Sequence, residues 1–134
     1  MTRNILIRVR DVMKTNYDLV DGLVTVSEAL EKMQHVDTKS LIVDKRHDDD
    51  EYGIVLMSDI AREVIARNRS PERVNIYEIM SKPVVSVDPR MDIRYCARLF
   101  DKFGLSRAPV VEDGKIIGVV SYTDMVLKGL ATQI

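Results

Sequence analysis

Toward its C-terminal end the chain carries Gly118-Val119-Val120-Ser121-Tyr122-Thr123-Asp124, where an apolar β-branched run gives way to a helical pattern. Such a junction sets Ser121, Thr123 and Asp124 beside the first backbone amides of a helix, which have no partner within the helix. Two kinds of chemistry suit these residues. The hydroxyls and the carboxylate can cap the helix by accepting hydrogen bonds from its free N–H groups. They can equally hold a polar ligand, since a carboxylate in this setting can accept from both hydroxyls of a ribose, as acidic residues do in dinucleotide-binding folds. A related segment, Gly53-Ile54-Val55-Leu56-Met57-Ser58-Asp59, keeps the glycine and the aspartate but has Leu56 where Ser121 stands.

Other reactive constellations are missing. No nucleophile–base set and no glycine-rich phosphate loop is present, so no enzyme activity is expected. The run His47-Asp48-Asp49-Asp50-Glu51 lacks the glycine and the terminal glutamate spacing of a calcium loop and reads as a solvated hairpin tip. His35 and His47 are not at a metal-ligand spacing, so no metal is expected. The one cysteine, Cys96, sits in a helical pattern among Tyr95, Ala97, Arg98 and Leu99 and reads as a small buried apolar side chain, not a reactive thiol. The seven methionines read as core filling.

Composition sets the class. The 134 residues, 46% hydrophobic and 31% charged, are those of one globular domain with a substantial core. Twenty basic against 21 acidic residues, a net charge of -1, give no general attraction to nucleic acid or an anionic membrane. The apolar stretch within residues 1–10 is too short for a signal peptide or a membrane span, and a cytoplasmic location is the default expectation.

The chain repeats itself. Val9-Arg10-Asp11-Val12-Met13 returns as Ile76-Tyr77-Glu78-Ile79-Met80, and at the same offset Val20 meets Val87, Ala29 meets Cys96 and Met33 meets Phe100. Ser40-Leu41-Ile42-Val43 then meets Arg107-Ala108-Pro109-Val110. The offset shortens within Lys45–Tyr52, a polar loop, before Gly53 meets Gly118 and Asp59 meets Asp124.

Each copy predicts the same elements. A helical turn (Val9–Met13, Ile76–Met80) leads to an extended segment (Asp18–Val20, Val84–Val87) and an amphipathic helix. Thr25 and Glu28 have capping-box spacing ahead of an apolar face of Ala29, Leu30, Met33 and Val36. Asp92 caps the second helix, whose apolar face is Tyr95, Cys96, Leu99 and Phe103. Strand pairs follow at Leu41–Val43 with Ile54–Leu56 and at Pro109–Val111 with Ile116–Val120, the second joined through Asp113-Gly114, a strong hairpin signal. Helices Ser58–Arg67 and Thr123–Leu130 end the copies, with Ser70-Pro71-Glu72 as the turn between them. The fold class expected is α/β (α+β): two β-α-β-β-α units whose apolar sheet faces pack on each other as one domain.

The doubled Gly-h-h-Ser-x-x-Asp-type pattern (h apolar), the helical turn ending in Met and the segment Arg107-Ala108-Pro109-Val110 resemble the cystathionine-β-synthase (CBS) domain. Two in tandem resemble the Bateman module. The likeness spans roughly residues 9–130, with repeat one at about 9–69 and repeat two at about 75–131 of a single module covering 1–134. The resemblance implies pseudo-two-fold symmetry and two clefts that take adenosine derivatives such as AMP, ADP, ATP or S-adenosylmethionine. One cleft would combine Ser121, Thr123 and Asp124 with Thr15, Asn16, Lys39 and Ser40. The other would combine Ser58 and Asp59 with Ser81, Pro83, Val84, Arg107, Ala108 and Pro109. Leu56 removes a hydroxyl from the second cleft, while Arg107 could clamp a phosphate there and favour AMP. The resemblance further implies a homodimer formed through helices and a stand-alone nucleotide sensor read by a partner protein. The alternative is a dimerisation or scaffolding module with empty clefts.

Overall fold

Two hydrophobic cores organise the computed structural model, which describes residues 6–130. They belong to two compact units that interleave in sequence: Tyr17–Val84 forms one, and the flanking residues 6–16 and 85–130 form the other. The units therefore do not coincide with the sequence copies. The turn opening copy one is built into the unit that holds copy two. Expectations that fall on residues 1–5 and 131–134 lie outside the described residues.

In the middle unit β1 (Leu19–Val20) runs parallel to β2 (Ser40–Val43), which pairs antiparallel with β3 (Gly53–Leu56) in the register Ser40 to Leu56. Helix α2 (Val26–Lys32) is capped as expected, Thr25 Oγ1 accepting from the Glu28 N–H at 3.1 Å. Its buried face is Val26 and Ala29; Leu30 and Val36 are exposed, because the helix stops at Lys32 and a tight 3₁₀ turn (Val36–Thr38) redirects the chain. Helix α3 (Met57–Ile60) follows β3 directly and widens into π-type turns over Ala61–Ile65, where the Ala66 N–H reaches back to the Ala61 carbonyl. A 3₁₀ turn (Ile76–Glu78) then leads Ser81 alongside β3, exchanging backbone hydrogen bonds with Ile54.

The other unit repeats the plan with α1 (Val9–Val12), α4 (Ile93–Phe103), β4 (Arg107–Glu112), β5 (Lys115–Ser121) and α5 (Tyr122–Asp124), the last widening over Met125–Leu130. The β4–β5 turn has φ of 51° at Asp113 and 77° at Gly114, the left-handed pair that a two-residue hairpin requires. No strand forms over Val84–Val87. Val87 alone bridges to Val110, the prolines at 83 and 89 each lacking the N–H a ladder needs. Asp92 caps α4, accepting from the Arg94 N–H at 2.8 Å. Cys96 and Phe100 make the buried stripe of α4, whereas Tyr95 and Phe103, expected on it, are more than half exposed. Tyr95, one residue before Cys96, is turned about 100° away from the stripe, and Phe103 is the last residue of α4, just before the left-handed cap Gly104.

Burial pushes the Cys96 thiol up to about 11. At pH 8 the native protein should therefore hold about 100-fold less thiolate than an ordinary cysteine and should resist iodoacetamide until urea unfolds it. Rapid native labelling followed by mass spectrometry would contradict this burial.

Candidate functional site: two aspartates at strand ends

The structure places Thr15, Asn16, Arg107, Ala108, Pro109, Ser121, Thr123 and Asp124 in one unit, and Lys39, Ser40, Ser58, Asp59, Ser81, Pro83 and Val84 in the other. Each expected set thus draws on both units. What each unit assembles on its own centres on one aspartate.

Ser121 ends β5 and begins α5. Its Oγ accepts from the Asp124 N–H at 3.2 Å and donates to Asp124 Oδ2 at 2.9 Å, while the Ser121 N–H donates to the same oxygen at 3.0 Å. This reciprocal capping box fixes a carboxylate that is only 3% exposed. The other oxygen, Oδ1, accepts from Lys14 Nζ at 2.5 Å. Lys14 reaches it because the chain after α1 lies antiparallel to β5, with Lys14 and Val119 exchanging N–H···O bonds of 2.9 Å. Arg107 stands directly opposite Ser121 in the β4–β5 ladder. Burial lowers its pKa, the Asp124 carboxylate opposes that shift, and the guanidinium stays charged. One buried carboxylate therefore has both an ammonium and a guanidinium for neighbours.

The middle unit repeats the capping geometry with different chemistry. Asp59 Oδ2 accepts from the Leu56 N–H at 2.8 Å, but Leu56 contributes no hydroxyl. The cation at Asp59 Oδ1 is Arg62, 2.7 Å away on the same helix and 66% exposed. Where the other unit has Lys14 this one has Ser81, and where the other has Arg107 it has Ser40, opposite Leu56. Ser40 is 1% exposed, and its Oγ has no hydrogen-bond partner among the described residues. Lys39 adopts a left-handed φ of 56° just before β2, and its carbonyl accepts from the Met57 N–H, tying the start of β2 to the start of α3.

Lys14 and Arg62 are the residues that the sequence reading missed. The repeat held the signal: at the repeat offsets Lys14 aligns with Ser81, and Arg62 with Leu127, so each is a charge present in one copy only. The expectation also set Arg107 with Asp59; within its own unit Arg107 stands beside the Asp124 turn.

The structure corrects the expectation for the acidic loop. His47, Asp48 and Asp49 are solvated as expected, but the Asp50 side chain is only 8% exposed. Asp50 Oδ2 accepts from Arg46 Nε at 3.1 Å, from the Arg46 N–H at 2.9 Å and from Lys82 Nζ at 2.7 Å. The bonds from Arg46, then Lys82, hold this carboxyl far below the usual carboxylate range. A cavity of about 410 Å³ opens nearby, at the Val43 end of the sheet, and none of the expected site residues lines it. Both cations on its wall, Arg46 and Lys82, are already committed to Asp50. Among the described residues no group of three or more His, Cys, Asp and Glu is placed to hold a metal, and no helix is long and apolar enough to cross a membrane.

This architecture has known relatives. The uncharacterized protein MK0525 of Methanopyrus kandleri is 30% identical over 112 residues, 81% of this chain and 56% of that protein. Against MJ0450 of Methanocaldococcus jannaschii the coverage is 81% and 59%, so the chain spans little more than half the length of these curated relatives. Among solved structures, a hexameric CBS-CP12 protein from bloom-forming cyanobacteria superimposes with a TM-score of 0.89 at 34% identity, covering 96% of this chain and 74% of that one. The CBS domain pair of MJ0100, in complex with 5′-methylthioadenosine and S-adenosyl-L-methionine, shares the fold with a TM-score of 0.79 at 21% identity, over 97% of this chain and 100% of that one. The family model described as CBS domain matches twice, at residues 9–66 and 76–129, so this chain belongs to the CBS domain family and is a tandem pair of its domains.

Proposed function

We propose that this CBS pair is a regulatory module that binds an adenosine derivative, AMP foremost, and transmits binding to a partner protein. The observation that carries the reading is the twice-repeated strand-end aspartate. Asp59 and Asp124 are each oriented by the N–H three residues back, and an acidic side chain fixed in place can accept from ribose hydroxyls. The buried, unpartnered Ser40 Oγ adds a polar group suited to a ligand. A CBS pair of the same fold holds two adenosine derivatives, which supports this ligand class. A regulatory effect requires that the ligand bind two states of the module unequally; affinity alone shifts nothing.

Thermal unfolding with AMP, ADP, ATP, S-adenosylmethionine and NADH tests the reading. A ligand at 100 times its Kd adds about 2.7 kcal/mol, raising the midpoint by about 5–10 °C. Asp59→Ala and Asp124→Ala, made separately, should each remove the part of that shift belonging to its own unit. No shift with any compound would overturn the proposal.

A second reading, self-association that serves as a scaffold without ligand, is favoured by a specific surface. Tyr95, Phe103, Val126, Leu127 and Leu130 are all at least half exposed on α4 and the π-type turns after α5. A homodimer formed through these helices is part of the proposal under either reading, and the hexameric state of the CBS-CP12 protein supports self-association.

A further inference from the structure

We infer that the Asp124 end is selective for adenosine derivatives carrying a 5′-phosphate, with Lys14 as a counter-ion that moves from the aspartate to the ligand. This rests on the proposal that the pair binds adenosine derivatives, and adds which chemical class this end takes and why.

The Asp124 carboxylate is satisfied before any ligand arrives: Oδ2 by the Ser121 N–H and Oγ, Oδ1 by Lys14. A ribose hydroxyl donating to Oδ1 competes with the Lys14 ammonium for that oxygen. The ammonium, on a side chain 23% exposed, then needs another anion. A ligand that brings a phosphate supplies one. A ligand with an uncharged or cationic 5′ group supplies none and leaves the Lys14 ammonium beside a carboxylate the ligand has partly claimed. Charge-assisted hydrogen bonds make that difference worth about 10- to 100-fold in affinity.

The middle unit lacks this device. Ser81 and Ser40 replace Lys14 and Arg107, and the cation on Asp59 is an exposed arginine of its own helix. Solvent and salt screen such a pair, so its displacement is nearly free of consequence. The selectivity is therefore a property of one end.

Titration calorimetry in an Asp59→Ala background, which leaves the Asp124 end as the binding centre, tests this with AMP and 5′-methylthioadenosine, identical nucleosides but for the 5′ group. AMP should bind about 10- to 100-fold tighter than 5′-methylthioadenosine. Lys14→Met should bring the ratio near one by weakening AMP and strengthening 5′-methylthioadenosine, and Lys14→Arg should restore it. Equal affinities, or a ratio unchanged by Lys14→Met, overturn the inference while leaving adenosine binding standing. Binding of neither nucleoside by the unmutated protein overturns both proposals. Should Lys14→Met fail to fold by circular dichroism, salt decides: the preference must fall between about 50 mM and about 500 mM sodium chloride, and a salt-independent preference refutes a role for Lys14.

Discussion

Gly118→Ala should destabilise the flanking unit by about 2–4 kcal/mol, lowering its melting midpoint by roughly 5–15 °C. A Cβ at this position would lie 2.5 Å from the Lys14 carbonyl oxygen and 2.9 Å from Met13 Sδ. The thioether can swing aside. The carbonyl cannot, because it accepts the Val119 N–H while the Lys14 N–H donates to the Val119 carbonyl. Relief requires the Met13–Lys14 strand to move off β5, breaking both Lys14–Val119 hydrogen bonds and drawing Lys14 away from Asp124. The matching change in the middle unit, Gly53→Ala, provides the contrast. Its nearest neighbour is the flexible Met80 Sδ at 3.0 Å, with the Ser81 carbonyl at 3.2 Å, so a loss of only about 1–2 kcal/mol is expected. Urea denaturation of the two variants should rank them in that order. Equal losses would mean that the close approach at Gly118 is not what its lack of a side chain serves.

Phe100→Ala should remove about 3–5 kcal/mol, the range for deleting a fully buried phenylalanine. Its ring has no solvent exposure, packs among Val9, Val12, Cys96, Val110 and Val120, and meets Tyr122 edge-on with centroids 5.3 Å apart. Two parts of the chain far apart in sequence close on this one side chain, so little nearby can collapse into the space it leaves. Met33, its counterpart in the repeat, is only partly buried, and Met33→Ala should cost about 1–2 kcal/mol. Denaturant midpoints of the two variants give the comparison; a Phe100→Ala loss as small as that of Met33→Ala would show that the core is not organised around this ring.

The family, the α+β class and the element order, save the extended segment at Val84–Val87, were legible in the sequence because they rest on local signals that a repeat states twice. Thr25 and Asp92 cap the helices they were expected to cap, and Asp113-Gly114 makes the turn its residue types prescribe. What escaped were properties set by residues distant in sequence. Tyr95 and Phe103 satisfied a helical spacing, yet the inward direction of α4 is chosen by what packs on it, and that is the Cys96–Phe100 stripe. Asp50 looked solvated among its acidic neighbours because Lys82, which holds it, lies far along the chain. At the candidate site, the placement of both aspartates just after a strand was legible from the repeat. Lys14 was not, since nothing local marks a lysine after a helical turn as the partner of a carboxylate near the far end of the chain. Nor could Arg107 be placed beside Ser121 without the β4–β5 register.

The interleaving of the two units carries a consequence for how the protein is made. The middle unit, Tyr17–Val84, is one unbroken stretch and can close as soon as it has left the ribosome. The segment carrying α1 and Lys14 precedes it, but its partners, from Pro89 and Met91 to Val119 and Asp124, are synthesised only after the middle unit. Closing the flanking unit brings residues 6–16 to residues 85–130, contacts of high sequence separation and hence the slower step of the two. The Lys14–Asp124 pair can therefore form only once synthesis has passed Asp124, later than every contact inside the middle unit.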